Sequence, residues 1–389
     1  MSHKVRCLNP ISKLGLNNFP DSFKVEEGLE GSELVLVRSA KMHDLDLPKS
    51  LLAIGRAGAG VNNIPLEKCS DAGIVVFNTP GANANAVKEL VLCSLLLSSR
   101  GIVEGIKWCR DNSNDENIAT SAEKAKKQFG GKEIIGKSLG IIGLGAIGAE
   151  VCNAAIMLGM NVFGYDPYIS VSAAHSLYPS VKLVDNIEDI YVNSDYITIH
   201  VPAVKDTIGM IDAAAISKMK NDCVFINMSR DSLVDFDAMK SALESGKISK
   251  YVTDFATPEV MSLKNTLVLP HLGASTEEAE DNCAMAVVDE AVDYIQHGNI
   301  KNSVNFPACN SGRIAPGSTR VCVLHKNVPN MVSQITSIAG SSGVNIEKLQ
   351  NASKGHYAYT VLDIENTNEN LDFSDLEGIE DVLKLRILH

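Results

Sequence analysis

Three ionisable residues stand where chemistry could be done. Arg230 follows the apolar run CVFINMS, Glu259 follows YVTDF, and His271 closes TLVLP ahead of the turn LGAST. Apolar runs of this length bounded by turn residues read as strands of a buried sheet, so each side chain is expected at a strand's carboxyl end. That is where open α/β sheets place their ligand sites. A guanidinium there is a permanent cation whose planar fork grips a carboxylate. An imidazole titrates near neutrality, and a carboxylate nearby would hold its tautomer. An anion clamp with an acid–base pair is what hydride transfer to or from the carbon beside a carboxylate requires. Singly, each residue also reads as a solvated charge or a satisfied polar group; their joint placement carries the argument. Of the other histidines, His3 and His389 are terminal, while His43, His175 and His297 lie in polar stretches.

A hydride needs a carrier, and the segment IIGLGAIG is built for one. Gly143, Gly145 and Gly148 follow an apolar strand and open the helix AIGAEVCNAAIMLG, and Asp166 closes the next strand, NVFGYD. In this strand–turn–helix setting the first glycine allows the tight turn and the second lets the backbone approach a pyrophosphate. The third admits close helix-to-strand packing, and the helix N-terminus attracts the anion. A carboxylate at Asp166 suits the adenosine ribose hydroxyls and repels a 2′-phosphate, and DPYIS offers no arginine to accept one. The expected cofactor is therefore NAD rather than NADP.

These residues need a scaffold of several sheets. From Lys4 to about Val91, short apolar runs (KVRCLN, SELVLVRSA, LLAIGRAGAGV, GIVVFNTPGA) alternate with turn signals, the rhythm of βα units. The spacing predicts a long helix over Val87–Ile106, then a polar surface excursion over Cys109–Lys132. A second α/β domain follows, with strands at SLGIIGLG, NVFGYD, YITIHVP, CVFINMS, YVTDF and TLVLPHL, and a helix over Glu277–His297. ACNSGRIAPGS reads as a linker. Beyond it TRVCVLHKN, VPNMVSQITSIAGSSG, VNIEKLQNAS, HYAYTVLDIEN and FSDLEGIEDVLKL read as strand, helix, strand, strand and helix, with RIL as a last strand. This βαββαβ order makes a two-layer sandwich small enough to gain stability from a partner.

Composition bounds the function. At 389 residues the chain fits two or three domains, and 45% hydrophobic with 21% charged residues is a globular profile. A net charge of −12 repels polyanions, so nucleic-acid binding is disfavoured and an anionic substrate must be held by local arginines. Nine cysteines without a CxxC pair read as reduced thiols, and no metal site is expected. No apolar run approaches the roughly 18 residues of a membrane span, and the N-terminus lacks a signal pattern, so the expectation is a cytoplasmic protein.

The chain resembles the D-isomer-specific 2-hydroxyacid dehydrogenase family from about residue 33 to 307, through NMSRDSLVD, DFATPE and PHLGAST. The resemblance implies a Rossmann NAD-binding domain (93–275) inserted in a flavodoxin-like α/β substrate domain (1–92 and 276–307), with a linker at 308–318. It implies that His271 is the acid/base, that Glu259 orients it and raises its pKa, and that Arg230 binds the substrate carboxylate. It also extends the cofactor contacts from Gly143, Gly145, Ala146, Ile147, Gly148 and Asp166 to His200, Val201, Pro202, Thr207, Met228, Ser229, Asp254, Gly273 and Ala274. Two positions depart from the family pattern: Asp231 stands where glycine usually follows the arginine, and Pro258 precedes Glu259 where proline usually follows. Within the family, LVRSA (Arg38, Ser39), GRAGAGVNNI (Arg56, Gly58) and NTPGANANAVKEL (Asn83) are most similar to members that oxidise 3-phospho-D-glycerate at the start of serine biosynthesis. Arg38 would anchor the phosphate, helped by Arg56 or Lys41. Family members acting on glycerate, glyoxylate or lactate, and NAD-sensing corepressors, are the alternatives. Homodimers or homotetramers are implied.

The small domain (319–389) resembles an ACT (ferredoxin-like) regulatory domain. The residues corresponding to a serine effector site are His325 and Asn327 in HKNVPN and Asn345 in GVNI, with Asn330 in place of the usual glycine.

Overall fold

The computed structural model describes residues 2–341, 343–365 and 373–389. The chain divides into two compact units, Met1–Ala82 with Glu280–His389, and Asn83–Ala279.

The first unit holds two sheets. One is parallel, built from β1 (His3–Cys7), β2 (Phe23–Val25), β3 (Leu34–Val37), β4 (Ala53–Arg56) and β5 (Val75–Asn78), in the order β2-β1-β3-β4-β5. The βα rhythm predicted a parallel sheet, and this is the flavodoxin-like order that the family resemblance implies. A parallel sheet must be covered on both faces, which is why β3 is apolar at every position and buried throughout. Val35, Val37, Ile54 and Val76 face one cluster with Cys69, while Leu34, Leu36 and Phe77 face Val287, Val288, Ala291 and Tyr294 of the helix Glu277–His297. Gly55 lies under Val287, where a Cβ would collide with its methyl group.

The second unit carries β6 (Ser138–Ile142), β7 (Asn161–Tyr165), β8 (Lys182–Leu183), β9 (Tyr196–Ile199), β10 (Cys223–Asn227), β11 (Ile248–Thr253) and β12 (Thr266–Val268). All paired neighbours are parallel, in the order β12-β11-β10-β9-β6-β7-β8. The order reverses at β6, between β7 and β9. This is the Rossmann switch point, with the glycine loop directly after β6. Two expectations are corrected here. The single helix over Val87–Ile106 is two, Ala84–Ser99 and Ile102–Asp111, broken at Arg100 (φ −154°) because Gly101 abuts the Phe129 backbone. The polar stretch after Cys109 holds the helix Ile118–Ala125 and a 3₁₀ turn Lys126–Phe129; with so few apolar residues its periodicity was too weak to read.

The last sheet belongs to the first unit. β13 (Ser318–Lys326), β14 (Ile346–Lys354), β15 (Tyr357–Glu365) and β16 (Val382–Leu388) are antiparallel in the order β14-β15-β13-β16, with helices Met331–Ser341 and Ser374–Glu377. The βαββαβ order is as read from the sequence. The second helix is only one turn, because VLKL alternates with period two and pairs with β13 instead. Ser342 of the expected first helix and Asn366 of the expected third strand lie outside the described residues. Alternate residues of β13 and β15 serve two cores. Val321, Val323 and Leu362 face the helices, and Cys322, Leu324, Tyr359 and Val361 join the core around Tyr294. The sheet face left open by its two helices is thus covered within the chain.

Two arginines join this sheet to the long helix. Arg386 stacks on the Tyr294 ring (4.6 Å to the centroid) and donates to the Tyr294 and Ile295 carbonyls at 3.0 and 2.6 Å. Arg320, with no exposed side-chain surface, donates to the His297 carbonyl (2.6 Å) and forms a two-pronged pair with Asp363 (2.6 and 2.8 Å). All three carbonyls lie in the last turn, where a helix end runs short of amide donors, although the Tyr294 carbonyl also accepts the Gly298 amide (2.8 Å), and cations suit the negative dipole end. Arg320 also takes the Gly312 carbonyl (2.7 Å), and Cys309 exchanges backbone hydrogen bonds with Ile300, so the expected linker is tied down.

Candidate active site

The loop after β6 has the geometry the glycine spacing demands. Gly143 has φ +93°, a conformation open chiefly to glycine, and a Cβ on Gly148 would be driven into the Gly143 carbonyl oxygen. Gly145 has nothing within 4 Å of where a Cβ would stand, leaving its backbone accessible. The helix Ala146–Met157 starts there, so Ala146 and Ile147 present its first amides. Asp166 accepts from the Leu144 amide (2.9 Å) and the Tyr168 amide (2.8 Å), tying the end of β7 to the loop. A carboxylate has about four acceptor sites, so capacity for ribose hydroxyls remains. The residues present fit a dinucleotide.

The neighbouring strand ends carry the other expected contacts. After β9, His200 meets Thr198 Oγ1 through Nε2 (3.1 Å), while its Nδ1 is buried with no hydrogen-bond partner among the described residues. Desolvation pushes its pKa down to about 4, so the ring is neutral at physiological pH. Val201 and Pro202 follow, and the Thr207 hydroxyl donates to the Pro202 carbonyl (2.5 Å) and accepts from the Val204 amide (2.9 Å), closing that loop on itself. After β10, Met228 is buried and the Ser229 hydroxyl donates to the Val201 carbonyl (3.0 Å), linking the two strand ends. Asn227 fixes the turn into Arg230: its side-chain oxygen takes the Ser229 amide (3.0 Å) and its amide donates to the Arg230 carbonyl (2.7 Å). The sequence reading missed Asn227. An asparagine closing an apolar strand ahead of a turn was the available signal.

His271 has φ +51° and donates its amide to the Asp254 carbonyl (2.9 Å). Its ring meets Phe255 edge-on, with centroids 5.3 Å apart. Asp254 is 2% exposed; one carboxylate oxygen takes the Gly273 amide (3.1 Å), the other meets no hydrogen-bond partner among the described residues, and Ala274 follows in the same turn. Burial raises its pKa, against the Gly273 amide and the nearby His271 and Arg230. The structure therefore brings His271, Arg230 and Asp254 into electrostatic range. Glu259 is placed differently. Pro258 starts a one-turn helix, Pro258–Met261, capped by Thr257, and Glu259 stands exposed on it. Hydrogen bonds from its own backbone amide and from Thr257 hold its carboxyl below the usual range. Among the described residues no hydrogen bond or ion pair joins Glu259 to His271; instead it lines a cavity of about 340 Å³ with Asp231 and Phe255. The shifted proline explains this presentation, because its fixed φ suits a helix start.

In the first unit, Arg38, Ser39, Arg56 and Gly58 come together at the ends of β3 and β4. Arg56 donates from Nε to the Arg38 carbonyl (3.2 Å), its guanidinium lies where a Gly58 side chain would go, and the Gly58 amide donates to Thr79 Oγ1 (2.9 Å). Asn9 was not foreseen. Its side-chain oxygen accepts the amides of Arg38, Ser39 and Ala40, each at 3.0 Å, and so shapes the turn. Nor was Glu280, whose Oε1 is 2.6 Å from Arg38 Nη2. Asn83, in the second unit, precedes the helix Ala84–Ser99 with its side-chain oxygen buried and without a hydrogen-bond partner among the described residues. In the C-terminal sheet His325 is buried, bonded to the Lys326 carbonyl (2.8 Å) and Thr360 Oγ1 (2.9 Å). Asn327 donates to the Gly355 carbonyl (3.1 Å), Asn345 is exposed, and Asn330 adopts φ +71°, a left-handed conformation that asparagine tolerates. Among the described residues no cluster of histidine, cysteine or carboxylate could hold a metal, and no helix is long and apolar enough to cross a membrane.

Comparison with known proteins gives concordant results. The family model for "D-isomer specific 2-hydroxyacid dehydrogenase, NAD binding domain" matches residues 92–273. D-3-phosphoglycerate dehydrogenase of Methanocaldococcus jannaschii is 34% identical over 322 residues, 79% of this chain but only 58% of that protein. D-3-phosphoglycerate dehydrogenase 1 of Saccharomyces cerevisiae is 30% identical over 357 residues, covering 86% of this chain and 72% of its own length. The NAD⁺-bound 3-phosphoglycerate dehydrogenase of Entamoeba histolytica superposes with a TM-score of 0.62 at 25% identity, covering 78% of this chain and 99% of that one. NAD is the cofactor these matches support. Replacing Asp166 with alanine is expected to raise the Kd for NAD by about tenfold or more, the worth of a hydrogen bond to a charged group. NADP binding should change far less. Titration of both nucleotides checks this, and an equal loss for both would remove the ribose role from Asp166.

Proposed function

Because the chain belongs to the D-isomer specific 2-hydroxyacid dehydrogenase family, we propose that it oxidises 3-phospho-D-glycerate to 3-phosphooxypyruvate, with NAD as the hydride acceptor. The observation that carries the reading is the grouping of Arg230 and His271 at strand ends of the same sheet that presents the glycine loop. Arg230 holds the substrate carboxylate and polarises C2; His271 takes the C2 hydroxyl proton as the hydride leaves that carbon. Glu259 is assigned the orienting role by family resemblance. Catalytic hydrogen bonds often tighten only in the substrate complex, so that role requires Glu259 to meet the ring when substrate is bound. Arg38 and Arg56 supply the phosphate anchor, with Ser39, Gly58 and Asn83 as further substrate contacts.

We place two further features in the same reading: a homodimer or homotetramer, and feedback by L-serine through His325, Asn327 and Asn345. A panel of D-2-hydroxy acids with NAD, followed at the NADH absorbance with and without serine, tests the whole. Turnover of 3-phosphoglycerate above glycerate and lactate is expected. Arg38→Ala should raise its KM by roughly tenfold or more, the loss of a charge-assisted hydrogen bond, while hydroxypyruvate reduction persists. Absence of turnover on every acid, with NAD still bound, would leave the corepressor alternative.

A further inference from the structure

The anion anchor in the first unit already contains an anion. Arg38 pairs with Glu280 at 2.6 Å, with side-chain exposures of 40% and 44%. The pairing is set by the backbone. Glu280 lies in the first turn of the helix Glu277–His297, where Asp281 accepts from Ser12 Oγ and the Ala284 backbone packs directly on Gly15. Cys283, three residues on, is within electrostatic range of Arg56, Arg38 and Glu280 together and its thiol is bonded to Thr79, so these groups form one cluster. The helix is held at its far end by Arg320 and Arg386. Glu280 can leave Arg38 only by turning its side chain.

We propose that Glu280 is a built-in counter-anion for Arg38 that a phosphate-bearing substrate must displace, and that it thereby sets how strongly this chain prefers phosphorylated over unphosphorylated 2-hydroxy acids. The inference rests on the function proposed above. A phosphomonoester carries between about −1.5 and −2 charges at pH 7 and seeks the guanidinium that Glu280 occupies. An unphosphorylated acid has only its carboxylate, assigned to Arg230, and has no need of Arg38. The opposition of Glu280 therefore falls on one substrate class. With both partners this exposed its size is modest, about two- to fivefold.

The test uses the full chain and the variant Glu280→Gln, which keeps the side chain's shape and removes its charge. With NADH, KM is measured for 3-phosphooxypyruvate and for hydroxypyruvate. The ratio of the second to the first is expected to rise about two- to fivefold in the variant, and less at high salt. A ratio that stays constant or falls overturns the proposal; a fall would mean that Glu280 itself contacts the substrate. Inorganic phosphate binding, measured by calorimetry, is the arm that does not depend on turnover. Phosphate should bind Glu280→Gln more tightly than the parent by a similar factor, and the gain should vanish when Arg38→Ala is added. If the parent turns over no 2-hydroxy acid, the functional reading fails while the phosphate arm still decides the counter-anion role. Equal phosphate affinity in parent and variant overturns it.

Discussion

His271→Asn is expected to lower kcat by roughly 10²- to 10⁴-fold, the usual worth of a positioned general acid–base, while NAD still binds. Asparagine is the substitution of choice because residue 271 sits at φ +51°, where most side chains are strained and asparagine is tolerated. The amide that donates to the Asp254 carbonyl is kept, so the strand end and the Gly273 turn should survive. What is lost is the imidazole assigned to take the C2 hydroxyl proton. Stopped-flow measurement of the hydride step, with nucleotide titration alongside, separates the two consequences. A variant retaining more than about a tenth of the parental rate would show that another group moves the proton. Loss of nucleotide binding would instead show that the loop had collapsed.

Asp363→Ala is expected to cost about 3–5 kcal/mol, because it leaves the Arg320 guanidinium buried with its principal counter-charge removed. Arg320 is wholly inaccessible and Asp363 is 15% exposed, so water cannot readily replace the lost carboxylate. Arg320 also holds the end of the long helix and the 311–312 carbonyls, so the C-terminal sheet should loosen from that helix. The single tryptophan, Trp108, lies in the second unit and would report little of this. Urea unfolding should be followed by far-UV circular dichroism and by amide exchange in β13 and β15. A loss below about 1 kcal/mol would place the pair in the class of solvent-screened surface bridges.

Much of this was legible because local chemistry dictated it. The glycine loop could be read from Gly143, Gly145 and Gly148, since a positive φ and the absence of a Cβ are properties of the residue itself. The interior strands of both parallel sheets could be read because burial on two faces demands apolar runs, whereas the short, largely exposed edge strands β2 and β8 carry no such run and were not read. The apolar patterns of β13 and β15 likewise gave two strands of the C-terminal sheet, while only the end of β16 was read as strand. The break at Arg100 was not legible, because it depends on Phe129 packing against Gly101 from well outside any local window. The one-turn helix at Ser374 was overcalled because VLKL satisfies both periods and only pairing with β13 decides between them.

At the site the division is similar. The sequence by itself determined which side chains end the strands, and so that Arg230 and His271 would share a sheet edge with the glycine loop. Only the tertiary structure decided the partners of those side chains. It put the buried Asp254 beside His271, turned Glu259 outward on a helix begun by Pro258, and laid Glu280 on Arg38. A strand end fixes where a side chain starts, while its charge environment is set by residues that are distant in the chain and carry no periodic signal. Burial and pairing energies, unlike dihedral preferences, belong to pairs of residues, and a single sequence does not say which pairs meet.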